Sequence, residues 1–205
     1  MARLSVELER FLFEEPRQSR VTFAELLELA QERAFGVLFA LISLPSALPV
    51  PAPGYSVPFG IALLLLAMQL AIGREKPWLP PRLAKGAIAL ETARKFAKSG
   101  TPWLKRFEAI ARPRLTFLCT NRAGQALMGC AIALMSVSMM IPVPLTNTVP
   151  AMGIFITGVG LVEDDGAIAL GGLIICALGA MLTTAVLLFG AEAVRQGIKL
   201  LLGAG

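Results

Sequence analysis

The residues that could do chemistry are polar side chains inside or beside long apolar runs, where they are costly to keep. Most of them belong to two proline-rich stretches, residues 48 to 60 (LPVPAPGYSVPFG) and 141 to 153 (IPVPLTNTVPAMG). These candidates are Pro51, Gly54, Tyr55, Ser56, Pro144, Asn147 and Thr148. Their hydroxyl, amide and free backbone groups could bind a solute, or they could cap the local chain as turn residues. Gln69, deep in an apolar run, needs a partner from another helix or from a solute.

Charged residues supply the other candidates. Glu163, Asp164 and Asp165 form an acidic cluster between two apolar runs, while Arg33 and Arg122 precede two other runs in matched places. A titrating carboxylate would suit proton or cation coupling, and an arginine could pair with it or with an anionic solute. The alternative interpretation of the cluster is a polar helix boundary, with an aspartate near the positive N-terminus of the last helix.

The composition predicts the kind of protein that positions these residues. The chain has 205 residues, of which 56% are hydrophobic and 16% charged, and its mean hydropathy is +0.70. A soluble domain of this length would need more polar surface, so we expect a single integral membrane domain. There is no histidine, and the three cysteines (Cys119, Cys130 and Cys176) are scattered, which excludes a His-based triad and a CxxC redox pair. We therefore expect no metal, no cofactor and no enzymatic activity.

Two segments outside the apolar runs are predicted to lie in the cytoplasm or at the membrane surface. Residues 1 to 32 include an amphipathic helix, for which Thr22 is the expected N-cap and Glu25 its capping-box partner. Residues 82 to 118 form a basic connector with a lateral amphipathic helix expected over 83 to 100. From 74 to 122, twelve Lys and Arg face three Glu, which predicts a cytoplasmic location and contact with anionic lipid. Nothing beyond charge suggests nucleic-acid binding.

The apolar runs themselves differ in length. Those at 34 to 48 and 57 to 73 reach only about 22 to 25 Å as helices, short of a hydrocarbon core of about 30 Å. Further runs cover 123 to 141 and 151 to 162, and the last, 167 to 191, is long enough to span. Three small-xxx-small pairs predict helix-packing contacts. They are Gly36/Ala40, Ala67/Ala71 and Gly179/Thr183.

Two of the segments resemble each other. Residues 49 to 51 and 142 to 144 both read PVP, and VPFGI (57 to 61) is matched by VPAMGI (149 to 154). Each unit runs from an arginine through an apolar helix, a break and a second helix to a charged cluster, which indicates a duplication. We assign residues 33 to 81 to the first membrane repeat, 119 to 166 to the second, and 167 to 205 to a C-terminal transmembrane helix and tail.

The expected fold is an all-α integral membrane protein with two helix–break–helix hairpins. Irregular chain at membrane depth cannot face lipid, because each unpaired backbone group costs several kcal/mol. The breaks are therefore either re-entrant and buried against each other, or ordinary turns at the far membrane surface. The sequence leaves open whether the repeats are parallel or inverted. A chain this small is expected to form a homodimer.

The segment from RAFGVLFALISLPSALPVPAPG to GREKPWLP, with RPRL and IPVPLTNTVPAMGIFITGVGLVEDDG, resembles the ExoD family of bacterial exopolysaccharide-synthesis proteins. The similarity extends from about residue 20 to residue 190. It implies a bacterial inner-membrane protein linked to exopolysaccharide production, and it supplies no reaction.

Three functions follow as hypotheses. The first is a small transporter or channel-like permease for an ion or small charged solute, with its pathway where the two breaks meet. The second is a non-catalytic membrane component of exopolysaccharide assembly that acts through protein contacts. A membrane enzyme acting on lipid-linked sugar is a weaker third, because it would need the acidic cluster and a metal.

Overall fold

The chain is almost entirely helical in the computed structural model, which describes Val6 and residues 9–14, 20–47, 56–81, 86–141 and 147–201. A single turn of π-helix covers Arg10–Glu14, and a turn of 3₁₀-helix covers Gln31–Arg33. The α-helices are α1 (Phe23–Ala30), α2 (Ala34–Ala47), α3 (Ser56–Ala71), α4 (Leu90–Ile110), α5 (Thr116–Thr120), α6 (Arg122–Met140), α7 (Thr148–Val162) and α8 (Gly166–Leu201). Two three-residue strands, β1 (Arg20–Thr22) and β2 (Ala87–Ala89), pair antiparallel.

The N-terminal segment and the basic connector pack together. Val21 lies opposite Ile88 in the β1–β2 ladder, and a small core forms from Phe11, Leu12, Val21 and Ala93. The expected capping box of α1 is confirmed: Thr22 N donates to Glu25 Oε2 at 2.7 Å, and Glu25 N donates to Thr22 Oγ1 at 3.3 Å. The lateral helix expected over 83 to 100 begins only at Leu90, because Ala87–Ala89 pair with β1, and it continues to Ile110.

The five apolar helices, α2, α3, α6, α7 and α8, form a bundle. In it, the helices of the first hairpin (α2 and α3) pack mainly on those of the second (α6 and α7) rather than on each other. Helix α2 packs mainly on α7, and α3 packs mainly on α6, while contacts within each hairpin are fewer. Helix α8 lies against α7 and, less extensively, α6. The first helix of each hairpin therefore packs on the second helix of the other.

Glycines let these exchanged helices approach closely. A Cβ on Gly36 of α2 would lie 2.7 Å from the Gly158 carbonyl oxygen of α7, and a Cβ on Gly129 of α6 would lie 2.6 Å from the Ala71 nitrogen of α3. Backbone atoms occupy the space that any side chain would need. The three small-xxx-small pairs do lie at helix crossings, as expected: Gly36/Ala40 at Gly158, Ala67/Ala71 at Gly129, and Gly179 beside Met135 and Pro150.

The helix ends that flank the two breaks lie at the same end of the bundle. Gly36 is opposite Gly158 and Val162, so α2 and α7 are antiparallel; Gly60 is opposite Ser136 and Met140, so α3 and α6 are antiparallel as well. With α2 and α6 running in one direction and α3 and α7 in the other, the hairpins are parallel to each other. Helix α8 runs in the direction of α2 and α6, since Gly179 contacts Pro150 at the start of α7.

Buried positions in the two hairpins recur 93 residues apart. Gly36 and Gly129 occupy the two crossings. Ser43 and Ser136 are both fully buried, and each hydroxyl donates to the carbonyl four residues before it, those of Phe39 and Ile132, at 2.6 and 2.7 Å. The same spacing relates Pro49 to Pro142, Pro51 to Pro144 and Gly60 to Gly153.

The bundle carries hydroxyls inside and apolar side chains outside. Ser43, Ser136 and Thr157 are fully buried, whereas α3 exposes a stripe of large apolar residues, Val57, Ile61, Leu65 and Met68. Helices α6 and α8 expose similar stripes. Two helical segments in the described part of the chain, Arg122–Met140 and Gly166–Phe189, are long and apolar enough to cross a membrane.

Candidate functional site

The candidate residues divide between two ends of the bundle. At the break end, α2 and α6 end while α3 and α7 begin. At the opposite end, which we call the charged end, α7 passes through the acidic cluster into α8. The fifteen residues of α7 separate the two ends by about 22 Å. The structure therefore does not bring the acidic cluster together with the breaks.

Asn147 and Thr148 lie at the break end, where they begin α7. Asn147 is the N-cap residue, but it has right-handed helical dihedrals (φ −79°, ψ −25°) and its side chain caps no backbone amide. Its carbonyl oxygen accepts from Ala151 N at 3.1 Å. Its side-chain Oδ1 is buried and has no hydrogen-bond partner. Asparagine is among the best N-caps because this oxygen normally accepts from the first turn, so its orientation here is unusual.

Ser46 is a second residue whose side-chain oxygen is buried without a hydrogen-bond partner, and the sequence did not predict it as a candidate. It is 7% exposed, and its Oγ has no hydrogen-bond partner. It follows Gly36, Phe39 and Ser43 on one face of α2, at positions i, i+3, i+7 and i+10, and Gly36 shows that this face meets α7. The signal that could have found it is a hydroxyl beside Pro45 in an otherwise apolar helix.

The other described polar contact at the break end is satisfied. Ser138 and Thr183 share a hydrogen bond of 2.7 Å between α6 and α8. It places Thr183 level with the end of α6, and Gly179, one turn earlier, is level with Pro150 at the start of α7.

Four of the candidates, Pro51, Gly54, Tyr55 and Pro144, lie outside the described residues. Ser56 is the first residue of α3. Gln69 has found its partner in the chain rather than in a solute: its Oε1 accepts from Trp78 N at 2.6 Å, and its Nε2 donates to the Trp78 carbonyl at 3.2 Å. Gln69 thus ties the PWLP segment to the end of α3.

Asp165, at the charged end, has a structural role. It is 3% exposed, and its Oδ1 accepts from Ala167 N at 3.0 Å and Ile168 N at 3.3 Å. Its Oδ2 accepts from Arg112 N at 2.9 Å. Asp165 therefore caps α8 and holds the end of the basic connector, in agreement with the helix-boundary interpretation.

Asp164, between Glu163 and Asp165, has a carboxyl whose pKa is raised. Burial raises the pKa of its carboxyl above the ordinary value, the nearby Arg33 guanidinium opposes this, and Glu32 adds to it. Asp164 also has a left-handed backbone (φ 51°), a conformation that aspartate tolerates better than most residues. Glu163 is the C-cap residue of α7. The positive charge of Arg33 therefore acts on the Asp164 carboxyl.

Arg122 is not equivalent to Arg33. It is exposed at the first turn of α6, and the 93-residue spacing of the hairpins matches Arg33 with Ala126 instead. Among the described residues, no three Cys, Asp or Glu side chains lie close enough to share a metal ion. The chemistry available at the break end is therefore hydrogen bonding, and at the charged end it is capping and ion pairing.

These features define a class of protein: a small helical bundle with an apolar outer surface and an uncharged polar end between two paired hairpins. The model of the family described as "Exopolysaccharide synthesis, ExoD" matches residues 4–185. The chain belongs to the ExoD family, and the resemblance noted in the sequence is confirmed.

Two relatives illustrate the family. The chain is 50% identical to an uncharacterized protein of Synechocystis sp. over 187 residues, which cover 91% of this chain and 88% of that protein. It is 32% identical to Protein ExoD of Rhizobium meliloti over 186 residues, 89% of this chain and 77% of that protein. No solved structure matches the chain.

Proposed function

We propose that this protein is a membrane-embedded permease for a small solute, linked to exopolysaccharide production, with its pathway at the break end of the bundle. The observation that carries the proposal is the position of the two breaks. The helices on either side of each break, α2 and α3 and α6 and α7, end and begin at one end of the bundle, and α8 continues past that end as an apolar helix. The link to exopolysaccharide rests on the family.

The distribution of polar groups supports membrane insertion. In water, the stripes on α3, α6 and α8 would leave many large apolar side chains exposed, which is unfavourable for a soluble monomer. In lipid the same stripes are well solvated, and buried hydroxyls such as Ser43 and Thr157 are satisfied inside their helices. We place the bundle in the bacterial inner membrane as a multi-pass protein, with the basic connector on the cytoplasmic side.

Helix α8 indicates how deep the breaks lie. Thr183 is level with the break end, and α8 carries no charged residue until Glu192, nine residues or about 14 Å further on. From Gly166 to Thr183 the same helix rises about 25 Å. If the uncharged part of α8 spans the hydrocarbon core of about 30 Å, the breaks lie within it rather than beyond it.

The recurrence of buried positions supports a duplication with parallel repeats. A pseudo-two-fold axis along the bundle would exchange α2 with α6 and α3 with α7, and the packing pairs α2–α7 and α3–α6 are equivalent under that exchange. Parallel repeats of this kind occur in secondary transporters, where solute sites lie at the repeat interface. Two breaks at one depth would place free backbone groups around a shared space.

A homodimer is the expected assembly. Helix α8 has an open apolar groove lined by small residues, Ala180, Thr184 and Ala185, with Met181, Leu188 and Phe189. Small residues on an exposed helix let a second helix approach closely in a membrane, so a second copy of the chain would fit here.

Single-cysteine accessibility tests the depth of the breaks. Cys119 and Cys176 are buried and Cys130 is exposed, so Cys130→Ser provides the background. In sealed vesicles, Asn147→Cys should react with a small uncharged, hydroxyl-bearing methanethiosulfonate and not with a polymer-linked maleimide, while Lys76→Cys at the charged end should react with both from the opposite side. Equal reaction of Asn147→Cys with both reagents would mean that the breaks are surface turns.

Transport is tested separately in proteoliposomes by the re-swelling that follows an osmotic shock with a permeant solute. Faster re-swelling than in empty liposomes, with any of a panel of salts and sugars, would support the permease. No re-swelling with any probe would favour the other hypothesis, a membrane component that acts through protein contacts.

A further inference from the structure

We propose that the break end binds a small neutral solute rich in hydroxyl groups, of the polyol or sugar class, between Ser46 of α2 and Asn147 of α7. The inference rests on the proposed permease for its role in transport, whereas the binding site stands on its own observations.

The first observation is a pair of unpartnered polar atoms at a similar level of the α2–α7 pair. Ser46 Oγ and Asn147 Oδ1 are both buried without a hydrogen-bond partner. Gly36 lies opposite Gly158 and Val162, and Ser46 is ten residues further along α2, or about 15 Å. Because α2 and α7 are antiparallel, Ser46 lies level with the first turn of α7. An unsatisfied buried polar group is destabilising unless something binds it.

The second observation is the N-terminus of α7. Ala151 N is bonded to the Asn147 carbonyl, Pro150 has no amide hydrogen, and the first amides of a helix have no partner within it, here those of Thr148 and Val149. The Asn147 side chain, which would usually satisfy one of them, does not. The site therefore offers amide donors, one acceptor in Asn147 Oδ1, and a serine hydroxyl that can donate or accept.

The third observation is the absence of charge. The sequence has no Asp, Glu, Lys or Arg at 34 to 73, 123 to 162 or 166 to 191, and these ranges include every described residue at which α2 and α6 end and α3 and α7 begin. Burying an unpaired ion in such a setting is far more costly than burying a hydrogen-bonded neutral group. The ion or charged solute expected from the sequence therefore fits this end poorly. A hydroxyl group both donates and accepts, so it can pair with the helix amides, with Asn147 Oδ1 and with the Ser46 hydroxyl.

Only one of the two hairpin pairs carries this site. At the 93-residue spacing, Ser46 corresponds to Met139, which is fully buried, and Asn147 corresponds to Gly54. Neither Met139 nor Gly54 has a hydroxyl or amide side chain, so the sequence supplies no equivalent of the two unpartnered groups for the other pair. The pseudo-symmetric bundle thus has one solute site rather than two.

The test uses the full-length chain and two readouts with glycerol, myo-inositol and glucose as probes. Binding is measured in lipid nanodiscs by saturation-transfer-difference NMR, and flux is measured by re-swelling of proteoliposomes, with potassium chloride and potassium phosphate as charged comparisons. Ser46→Ala and Asn147→Leu remove the two unpartnered atoms. Ser43→Ala is the matched control, because its hydroxyl lies one turn deeper on the same face and is already bonded to Phe39 O.

We expect at least one of the three probes to bind, with a signal that falls about fivefold or more in Ser46→Ala and Asn147→Leu and stays unchanged in Ser43→Ala. Thermal unfolding should show Ser46→Ala at least as stable as the wild-type chain, so lost binding is not lost folding. Equal binding in all variants, or no binding of any probe, overturns the site. Flux of the salts without flux or binding of the neutral probes overturns the solute class and leaves the permease standing. Binding that depends on both residues without any flux supports the site and overturns the permease.

Discussion

The crossing of α3 and α6 gives the sharpest test of the packing. In Gly129→Ala, the new Cβ would lie 2.6 Å from Ala71 N and 2.8 Å from Ala67 O. Ordinary carbon contacts are about 3.5 to 4.0 Å, and the obstructing atoms are backbone, so the two helices must separate by about 1 Å. Overpacking of this kind costs about 1–3 kcal/mol.

The control variant must account for the higher helix propensity of alanine relative to glycine. Replacing glycine by alanine inside a helix gains about 1 kcal/mol, which would partly hide the packing cost. Gly171 of α8 has no atom within 4 Å of an added Cβ, so Gly171→Ala reports that gain alone. The difference between the two variants therefore isolates the crossing, and we expect Gly129→Ala to be less stable than Gly171→Ala by about 1–3 kcal/mol.

Thermal unfolding in detergent, followed by helical circular dichroism, measures this difference. For a chain of this size, about 2–4 °C in Tm corresponds to 1 kcal/mol. Gly36→Ala, at the α2–α7 crossing, should behave like Gly129→Ala if the two crossings are equivalent. If Gly129→Ala were as stable as Gly171→Ala, the close α3–α6 crossing at Gly129 would be refuted.

Three further outcomes are expected at the charged end. Gln69→Ala should speed hydrogen exchange at the Trp78 amide and lower the free energy of unfolding by about 1–2 kcal/mol, because two hydrogen bonds to the PWLP segment are lost. Unchanged exchange at Trp78 would contradict the role of Gln69 in holding this segment. Asp165→Ala should cost about 1–2 kcal/mol in thermal unfolding as a lost helix cap, and Asp165→Asn, which keeps an acceptor, should cost less. The pKa of the Asp164 carboxyl is higher in the folded chain than in the unfolded chain. At a pH between these two pKa values, the folded chain therefore binds more protons than the unfolded chain. Stability should therefore fall as pH rises through that window, and the fall should be smaller in Asp164→Asn; an identical pH profile would argue against the shift.

Local signals in the sequence predicted much of the fold. The capping box at Thr22 and Glu25, the helices on either side of each break, and the three small-xxx-small crossings follow from residue type and spacing alone. The exchange of partners between the hairpins does not, because each hairpin could equally have packed on itself. The three-residue ladder was missed for a related reason: Ala87–Ala89 form a strand only because β1 lies beside them.

The candidate site was predictable only in part. Asn147 was found because an amide beside a proline-rich break is conspicuous, whereas Ser46 was missed because serine is common in apolar helices and usually bonds its own backbone, as Ser43 does. Gln69 was identified as needing a partner, but the partner proved to be the Trp78 backbone nine residues ahead. Sequence shows which side chains are costly to bury, and only the packing shows which of them stay unsatisfied.

The exchange of partners explains why the polar site can lie on one pair of helices. Each pair, α2–α7 or α3–α6, takes one helix from each hairpin, so residues of the two hairpins meet at both crossings. Ser46 of the first hairpin lies level with the first turn of α7, which follows Asn147 of the second, while the residues 93 positions away from them are Met139 and Gly54. If α2 packed mainly on α3, and α6 mainly on α7, Ser46 and Asn147 would lie in separate helix pairs. The intertwined arrangement lets a symmetric scaffold support a single asymmetric site.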